Sequence, residues 1–362
     1  MGLWDKLVTL FRAQDKKYKN IFFEKKQVDE DYNDTPVIEG SSYCRIWLAE
    51  MRLARGVDWF KTRYPMVYAA IRYDYGGRTV TIPYVGGLDY FKELTEDNLD
   101  KIIQVNRPLT PLFPFNRGVV DFQAALFSID SSDPVAKFLS AMGRLSKLIP
   151  VPELSSVIGM VEPIYSGIDE LIGAGKSNFE MGYQRAFVGA DDGAIGSNFL
   201  RQGYFAAIMA QDDDFKDEHL RVVRESVKLL PNGQASPAQQ LAGYNYMLFR
   251  IEVRSQQDWE SLSSIKTLVE RAESALENGK IGTAKDLLIS IKIAIARSPD
   301  VTKRDREAMF SRIREHLETL GLEGSRGTVA KRSLYEIMQQ PSSALDEGTK
   351  NELEQLHEMF ES

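Results

Sequence analysis

Alternating hydrophobic and polar residues in the first two thirds of the chain predict β-strands. Residues 43–53 are apolar on both faces, as in a strand that is covered on both sides. Residues 67–75 alternate, and Gly76-Gly77 joins them to a second alternating run, which predicts a tight hairpin because primed turns need positive φ. Further strands are predicted over 119–129, 204–210, 220–230 and 246–254. In the last of these, the alternation predicts that Arg250, Glu252 and Arg254 face outward.

The spacing of these segments predicts the fold class. About seven or eight short strands with hairpin-like spacing favour an antiparallel sheet arrangement over a parallel one. We therefore expect an α+β protein whose β domain is an antiparallel, jelly-roll-like β-sandwich. Pro83 is expected to end its strand or to place it at an edge, and the prolines within 105–117 predict an irregular connection there.

A helical hairpin is predicted over residues 133–173, inserted into the β domain. Asp133-Pro134 is a typical helix start, and the apolar period then changes to 3.6. Between residues 148 and 161 the only charged side chain is Glu153, which leaves a candidate apolar surface for a partner. Its candidate partner-binding residues are Leu154, Val157, Ile158 and Val161. Two alternatives stay open: both helices cover the sheet, or the hairpin inserts into a membrane.

From Asp258 onward the apolar period is helical throughout, which predicts about five helices in a small bundle. The segment 275–279, Ala-Leu-Glu-Asn-Gly, followed by Ala284, resembles one tetratricopeptide unit. That resemblance implies binding of a peptide or protein. The predicted domains are therefore 41–257, the β domain with its inserted hairpin, and 258–362, the helical bundle.

The first 40 residues are predicted to lie outside these domains. Apolar residues within 1–11 fall on one helical face that could touch a membrane or a partner, but more often packs on its own protein. Blocks of basic and then acidic residues over 12–40 predict a charged linker.

Charge and cysteine usage narrow the function classes. The net charge of -7 repels phosphate backbones, so the overall charge does not favour nucleic-acid binding. The single cysteine, Cys44, lies in an apolar run and is expected to be a buried hydrophobe. One cysteine cannot form a disulfide within the chain, which fits the cytoplasm.

Candidate chemistry is sparse along the chain. The segment Gly173–Ser177 ends in Gly-Lys-Ser, but Glu170 stands where a P-loop needs its first glycine, so a helix end with a polar turn is expected. The three histidines are scattered, which disfavours a zinc site. Asp212 and Asp214, in an acidic run, are the candidate metal ligands because Ca²⁺ and Mg²⁺ prefer carboxylate oxygens.

The leading hypothesis from these patterns is a non-enzymatic scaffold or adaptor that binds protein partners or forms a homo-oligomer, without a cofactor. Its general appearance resembles that of uncharacterised bacterial conflict-system proteins, which points to a phage-defence setting. One alternative is a metal-dependent hydrolase or nuclease that uses Asp191, Asp192, Asp212 and Asp214. Another is a membrane-associated or pore-forming effector.

Overall fold

The computed structural model of the protein describes residues 9, 18–54, 57–58, 61–86, 103–130, 177–190, 199–211, 213–230 and 238–322. These residues form a mixed α+β structure with mostly antiparallel sheets and three α-helices. The chain divides into two compact units, and Pro299–Asp305 belongs with the described residues of Met1–Gln257 to the first. The predicted hairpin over 133–173 and the apolar face of residues 1–11 lie outside the described residues, apart from Thr9.

The described residues of the first unit form three sheets, whose strands pair antiparallel. The strands are β1 Lys19–Phe22, β2 Ser42–Arg52, β3 Val57–Asp58, β4 Lys61–Tyr75, β5 Arg78–Gly86, β6 Ile103–Pro108, β7 Phe113–Phe115, β8 Val119–Asp130, β9 Ser177–Val188, β10 Gly203–Ile208, β11 Leu220–Val223, β12 Ser226–Leu229, β13 Gln239–Gln240 and β14 Tyr246–Arg254.

The six-stranded sheet has the order β1-β10-β14-β2-β6, and β7 also pairs with β2. The five-stranded sheet has the order β3-β4-β8-β9, and β5 also pairs with β4. The small sheet has the order β11-β12-β13. The β4–β5 pair is the hairpin that Gly76-Gly77 predicted, and both glycines have positive φ.

One hydrophobic core lies between the six-stranded and the five-stranded sheets. Phe122 of β8 contacts Phe205 of β10 and Phe249 of β14, with ring centroids 5.5 and 4.9 Å apart. Apolar residues of β2 and β4 extend this cluster. Burial of this apolar area from water is the main stabilisation that holds the two sheets together.

A β-bulge changes the phase of β2. Against β14, Leu48 pairs with Phe249 and Glu50 with Leu248, so that Ala49 is an extra residue. The register with β6 also shifts between Leu48 and Glu50. Leu48 and Met51 therefore both face the shared core, while Glu50 faces the three-stranded sheet. This shift explains why residues 43–53 read as apolar on both faces.

Four stretches differ from the sequence predictions. The segment 105–117 contains strand residues, since β6 ends at Pro108 and β7 places Pro114 beside Tyr43 of β2. The segment 220–230 is two strands that turn at Arg224 and Glu225, both with positive φ. Segment 12–40 contains β1, paired with β10, and β9 was not predicted at all.

The second unit contains the helices α1 Ser263–Glu277, α2 Ile281–Arg297 and the part of α3 Asp305–Thr319 that follows Asp305. Most of the apolar residues that predicted these three helices are buried, although Ile281 at the start of α2 is exposed. Pro299 lies two residues beyond the end of α2. Gly279 adopts positive φ between α1 and α2, where it ends the first helix. None of the helices in the described residues combines the length and the apolar composition that crossing a membrane requires.

Candidate functional site

The outer face of the six-stranded sheet, the face turned away from the shared core, has two halves. The three-stranded sheet covers one half through a second apolar cluster that includes Leu248 of β14 and Val227 of β12. On the other half lies a cavity of about 350 Å³, which we name the arginine pocket. Its lining residues are Glu30, Tyr32, Arg45, Trp47, Gln202, Gly203, Tyr204, Arg250, Ile251, Glu252 and Arg254.

Strand alternation places the charged floor of the arginine pocket. Along β14 the polar positions Arg250, Glu252 and Arg254 alternate with the core positions, as the sequence predicted. The antiparallel register sets Arg250 opposite Trp47 and Glu252 opposite Arg45 on β2. Cross-strand neighbours on one face lie close enough for their side chains to interact, so two strands build the whole floor.

Glu252 is the centre of this floor. Its Oε2 accepts a hydrogen bond from Trp47 Nε1 at 2.8 Å, and its Oε1 accepts one from Arg254 Nε at 2.5 Å. Arg45 Nη1 is 3.8 Å from Oε2, within ion-pair distance. One carboxylate therefore interacts with two guanidinium groups and one indole N–H.

Arg250 is held between an aromatic ring and a carboxylate. Its guanidinium carbon lies 4.7 Å from the centre of the Trp47 ring, which is a cation–π contact. Its Nη1 donates to Glu225 Oε1 at 2.6 Å, and Asn106 Nδ2 also donates to Glu225. Glu225 sits in the positive-φ turn between β11 and β12, so the three-stranded sheet helps to fix Arg250.

The far wall of the pocket comes from the segment before β2. Tyr204 of β10 donates to Glu30 Oε2 at 2.9 Å, and burial, followed by this bond to a carboxylate, raises the pKa of Tyr204. Burial also raises the pKa of Tyr32, with a smaller effect from the charge of Asp34. Both phenols are therefore neutral donors at physiological pH.

Gly203 allows the far wall to approach the floor. Its φ is +142°, and a Cβ built on it would lie 3.2 Å from both the Tyr32 hydroxyl and Phe22 Cε1. A side chain at this position would be tight against the wall, and the positive φ itself favours glycine.

The candidate metal ligands are only partly described. Asp214 is exposed, and its Oδ2 accepts a hydrogen bond from the backbone N–H of Gln211 at 2.7 Å, which closes a turn. Asp212 and the further candidates Asp191 and Asp192 lie outside the described residues. Among the residues that are described, no group of three or more His, Cys, Asp or Glu side chains is placed to hold a metal ion.

The remaining candidates have separate outcomes. The partner-binding residues Leu154, Val157, Ile158 and Val161 all lie outside the described residues. Cys44 is buried in the core, as predicted, and burial raises the pKa of its thiol well above the usual range. A thiol in that setting stays protonated and is a poor nucleophile.

Sequence reasoning missed the arginine pocket as a site. It placed Arg250, Glu252 and Arg254 on one outward face, and it counted Arg45 and Trp47 within a strand covered on both sides. The signal that could have found it is a row of arginines on one strand together with Arg45 and Trp47 at alternate positions of another. Nothing in the local pattern shows that these two strands are neighbours.

Comparison of the chain with protein-family models, with curated proteins and with solved structures finds no match.

Proposed function

We propose that the protein is a non-enzymatic scaffold or adaptor, and that a protein partner docks into the arginine pocket. The observation that carries this proposal is the lining of the pocket. Trp, Tyr and Arg are the residue types that most often dominate the energy of protein interfaces, and the pocket collects Trp47, two tyrosines and three arginines in one concave site.

The fixed geometry of the pocket supports the same proposal. Trp47 and Arg254 are held by Glu252, Arg250 is held by Glu225, and Tyr204 is bonded to Glu30. Side chains that are already oriented lose little conformational entropy when a partner binds, which favours affinity. Each of these carboxylates already accepts a hydrogen bond from a fixed donor. Such carboxylates are better suited to holding a rigid docking surface than to transferring protons.

The finer architecture belongs to this proposal. We infer that the two larger sheets form a jelly-roll-like β-sandwich, because their inner faces share one core. The helices after Asp258 would complete the adaptor as a bundle. The setting we propose is a cytoplasmic multi-protein system of a bacterium, such as a phage-defence system, and the single buried cysteine is in keeping with a reducing compartment.

Affinity purification from the native host tests the proposal, with the wild type compared with Arg250→Ala. We expect a protein to co-purify with the wild type in fixed stoichiometry, and its yield to fall by about tenfold or more with the variant, as for a central interface residue. Arg117→Ala is the matched control, because Arg117 is an exposed arginine paired with Asp74 and is not part of the pocket lining.

Thermal melting of all three proteins checks that they are folded. Recovery of a lone, monodisperse monomer from the host would contradict the adaptor. Equal recovery of the partner with the wild type and Arg250→Ala would remove the arginine pocket as the docking site.

A further inference from the structure

Arg45 is the member of the arginine pocket that forms no side-chain hydrogen bond with the part of the chain that the structure describes. The exposed fraction of its side chain is 20%, and its Nε is a buried atom without a hydrogen-bond partner among the described residues. Its nearest carboxylate oxygen, on Glu252, is 3.8 Å away, which is too far for a hydrogen bond. A guanidinium group carries five N–H donors, so most of the donors of Arg45 are open to a ligand.

Glu252 forms hydrogen bonds with its other partners and does not form one with Arg45. Its oxygens accept from Trp47 at 2.8 Å and from Arg254 at 2.5 Å, so the closest contacts go to these two side chains. Burial lowers the pKa of Arg45, because the charged group loses solvation that Glu252 only partly replaces. Arginine nevertheless stays protonated in proteins, so a charged and poorly solvated group faces the pocket.

We propose that Arg45 receives a carboxylate from an aspartate or glutamate side chain of the partner protein. This inference rests on the proposed function and names the chemistry that its docking site recognises. A carboxylate matches guanidinium geometry and can accept two parallel N–H bonds, which would supply the bonds that Glu252 does not.

The charges around the pocket favour a single carboxylate over a phosphate. Glu30 and Glu252 line the same cavity and repel a second negative charge. The net charge of -7 also opposes the approach of a polyphosphate or a nucleic acid. The ring of Trp47 is already contacted by Arg250 at 4.7 Å, which leaves it poorly placed to stack on a base.

Selection from a library of random peptide segments tests the inference. The segments are displayed inside a carrier protein with both ends fused, so that every carboxylate comes from a side chain. The full-length wild type, Arg45→Gln and the control Arg117→Gln are used as baits. We expect the wild type and Arg117→Gln to enrich Asp or Glu at one position by about tenfold or more, and Arg45→Gln to lose this enrichment.

Melting temperatures keep the comparison interpretable, because Arg45→Gln removes the guanidinium charge but keeps a polar side chain, and the variant is used as a bait only if it is folded. Enrichment of segments without an acidic residue, or equal acidic enrichment by Arg45→Gln, overturns the role of Arg45 and leaves the adaptor standing. Failure of the folded wild type to enrich any segment also overturns the inference. The adaptor itself is decided separately, by the partner that co-purifies from the host.

Discussion

Glu50 is the clearest case of a residue whose environment is set by the bulge in β2. Its side chain is fully buried, and its Oε1 and Oε2 accept hydrogen bonds from Ser226 Oγ and the Val227 N–H, both at 2.8 Å. Burial raises the pKa of Glu50, and these two bonds lower it by less. Glu50 therefore links β2 to the three-stranded sheet while its charged form remains disfavoured.

Replacement of Glu50 by Gln is expected to change how stability depends on pH. The folded-state pKa of Glu50 lies above its unfolded value, so its contribution to stability is fully present below the unfolded pKa and is lost as pH rises through the folded pKa. Gln keeps an oxygen for the Val227 N–H and does not titrate. From about pH 4 upward the variant should gain stability relative to the wild type as the pH rises towards neutral.

Urea unfolding of both proteins between pH 4 and pH 8 measures this difference. Glu50→Ala serves as the comparison, since it leaves the Val227 N–H without its acceptor and should be destabilising at every pH. A stability difference between Glu50→Gln and the wild type that does not vary with pH would contradict a raised pKa at this position.

At the scale of the element, the start of β10 determines the shape of the arginine pocket. Gly203→Ala is expected to destabilise the protein by about 1–3 kcal/mol, because φ of +142° is strained for alanine and the new Cβ meets Phe22 and Tyr32 at 3.2 Å. Gly282→Ala is the matched control, since a Cβ on that residue of α2 has no atom within 4 Å. Alanine should be neutral or slightly stabilising there.

Measurements of thermal melting and of partner binding compare the effects of the two glycine substitutions. Gly203→Ala should lower the melting temperature and weaken binding to the pocket, because Tyr32 must move away from the floor. Equal melting temperatures for Gly203→Ala and the wild type would show that the wall tolerates a side chain at this position.

Elements with a strong local pattern were predictable, and elements set by distant contacts were not. The β4–β5 hairpin follows from alternation and Gly76-Gly77, and β14 follows from its own alternation. The sequence of β9 contains a usable signal, since Met181, Tyr183 and Phe187 recur at even spacing. The polar turn expected just before it gave no indication that a strand begins there. β1 is short and charged, and its pairing with β10 is a tertiary contact that no local pattern encodes.

At the scale of the whole molecule, the chain returns to the first unit after passing through α1 and α2. Asp305 Oδ2 accepts hydrogen bonds from the Tyr43 hydroxyl at 2.9 Å and from the Gln257 N–H at 2.8 Å. The Thr302 N–H donates to the same hydroxyl at 3.0 Å, and Tyr75 donates to Asp300 at 2.8 Å. The sequence predicts a continuous helical domain from 258 onward, since these buried polar contacts leave no mark on the hydrophobic period.

The arginine pocket is unpredictable for the same reason at this scale. The polar residues of β14 are visible as an outward face in the sequence, but only the sheet order brings β2, β14 and β10 together. The candidate metal ligands and the apolar hairpin were proposed from local runs of residues, whereas the pocket depends on residues that are distant along the chain.

A double-mutant cycle of Asp305 and Tyr43 measures the interaction energy between the two side chains where the chain returns to the first unit. Asp305→Ala is expected to lower the free energy of unfolding by about 3 kcal/mol, because the buried Gln257 N–H and the Tyr43 hydroxyl both lose their acceptor. Tyr43→Phe should cost about 1–2 kcal/mol, since burial keeps this phenol protonated and it donates to Asp305.

If the two side chains interact, the double variant should lose about 1 kcal/mol less stability than the sum of the two single-variant losses. Asp286→Ala, at an exposed position of α2, is the control and should change stability by less than about 0.5 kcal/mol. Urea unfolding of the four proteins in the full-length chain gives the coupling. Strict additivity would mean that the Tyr43–Asp305 bond contributes nothing, and that Pro299–Asp305 is held in the first unit by its other buried contacts.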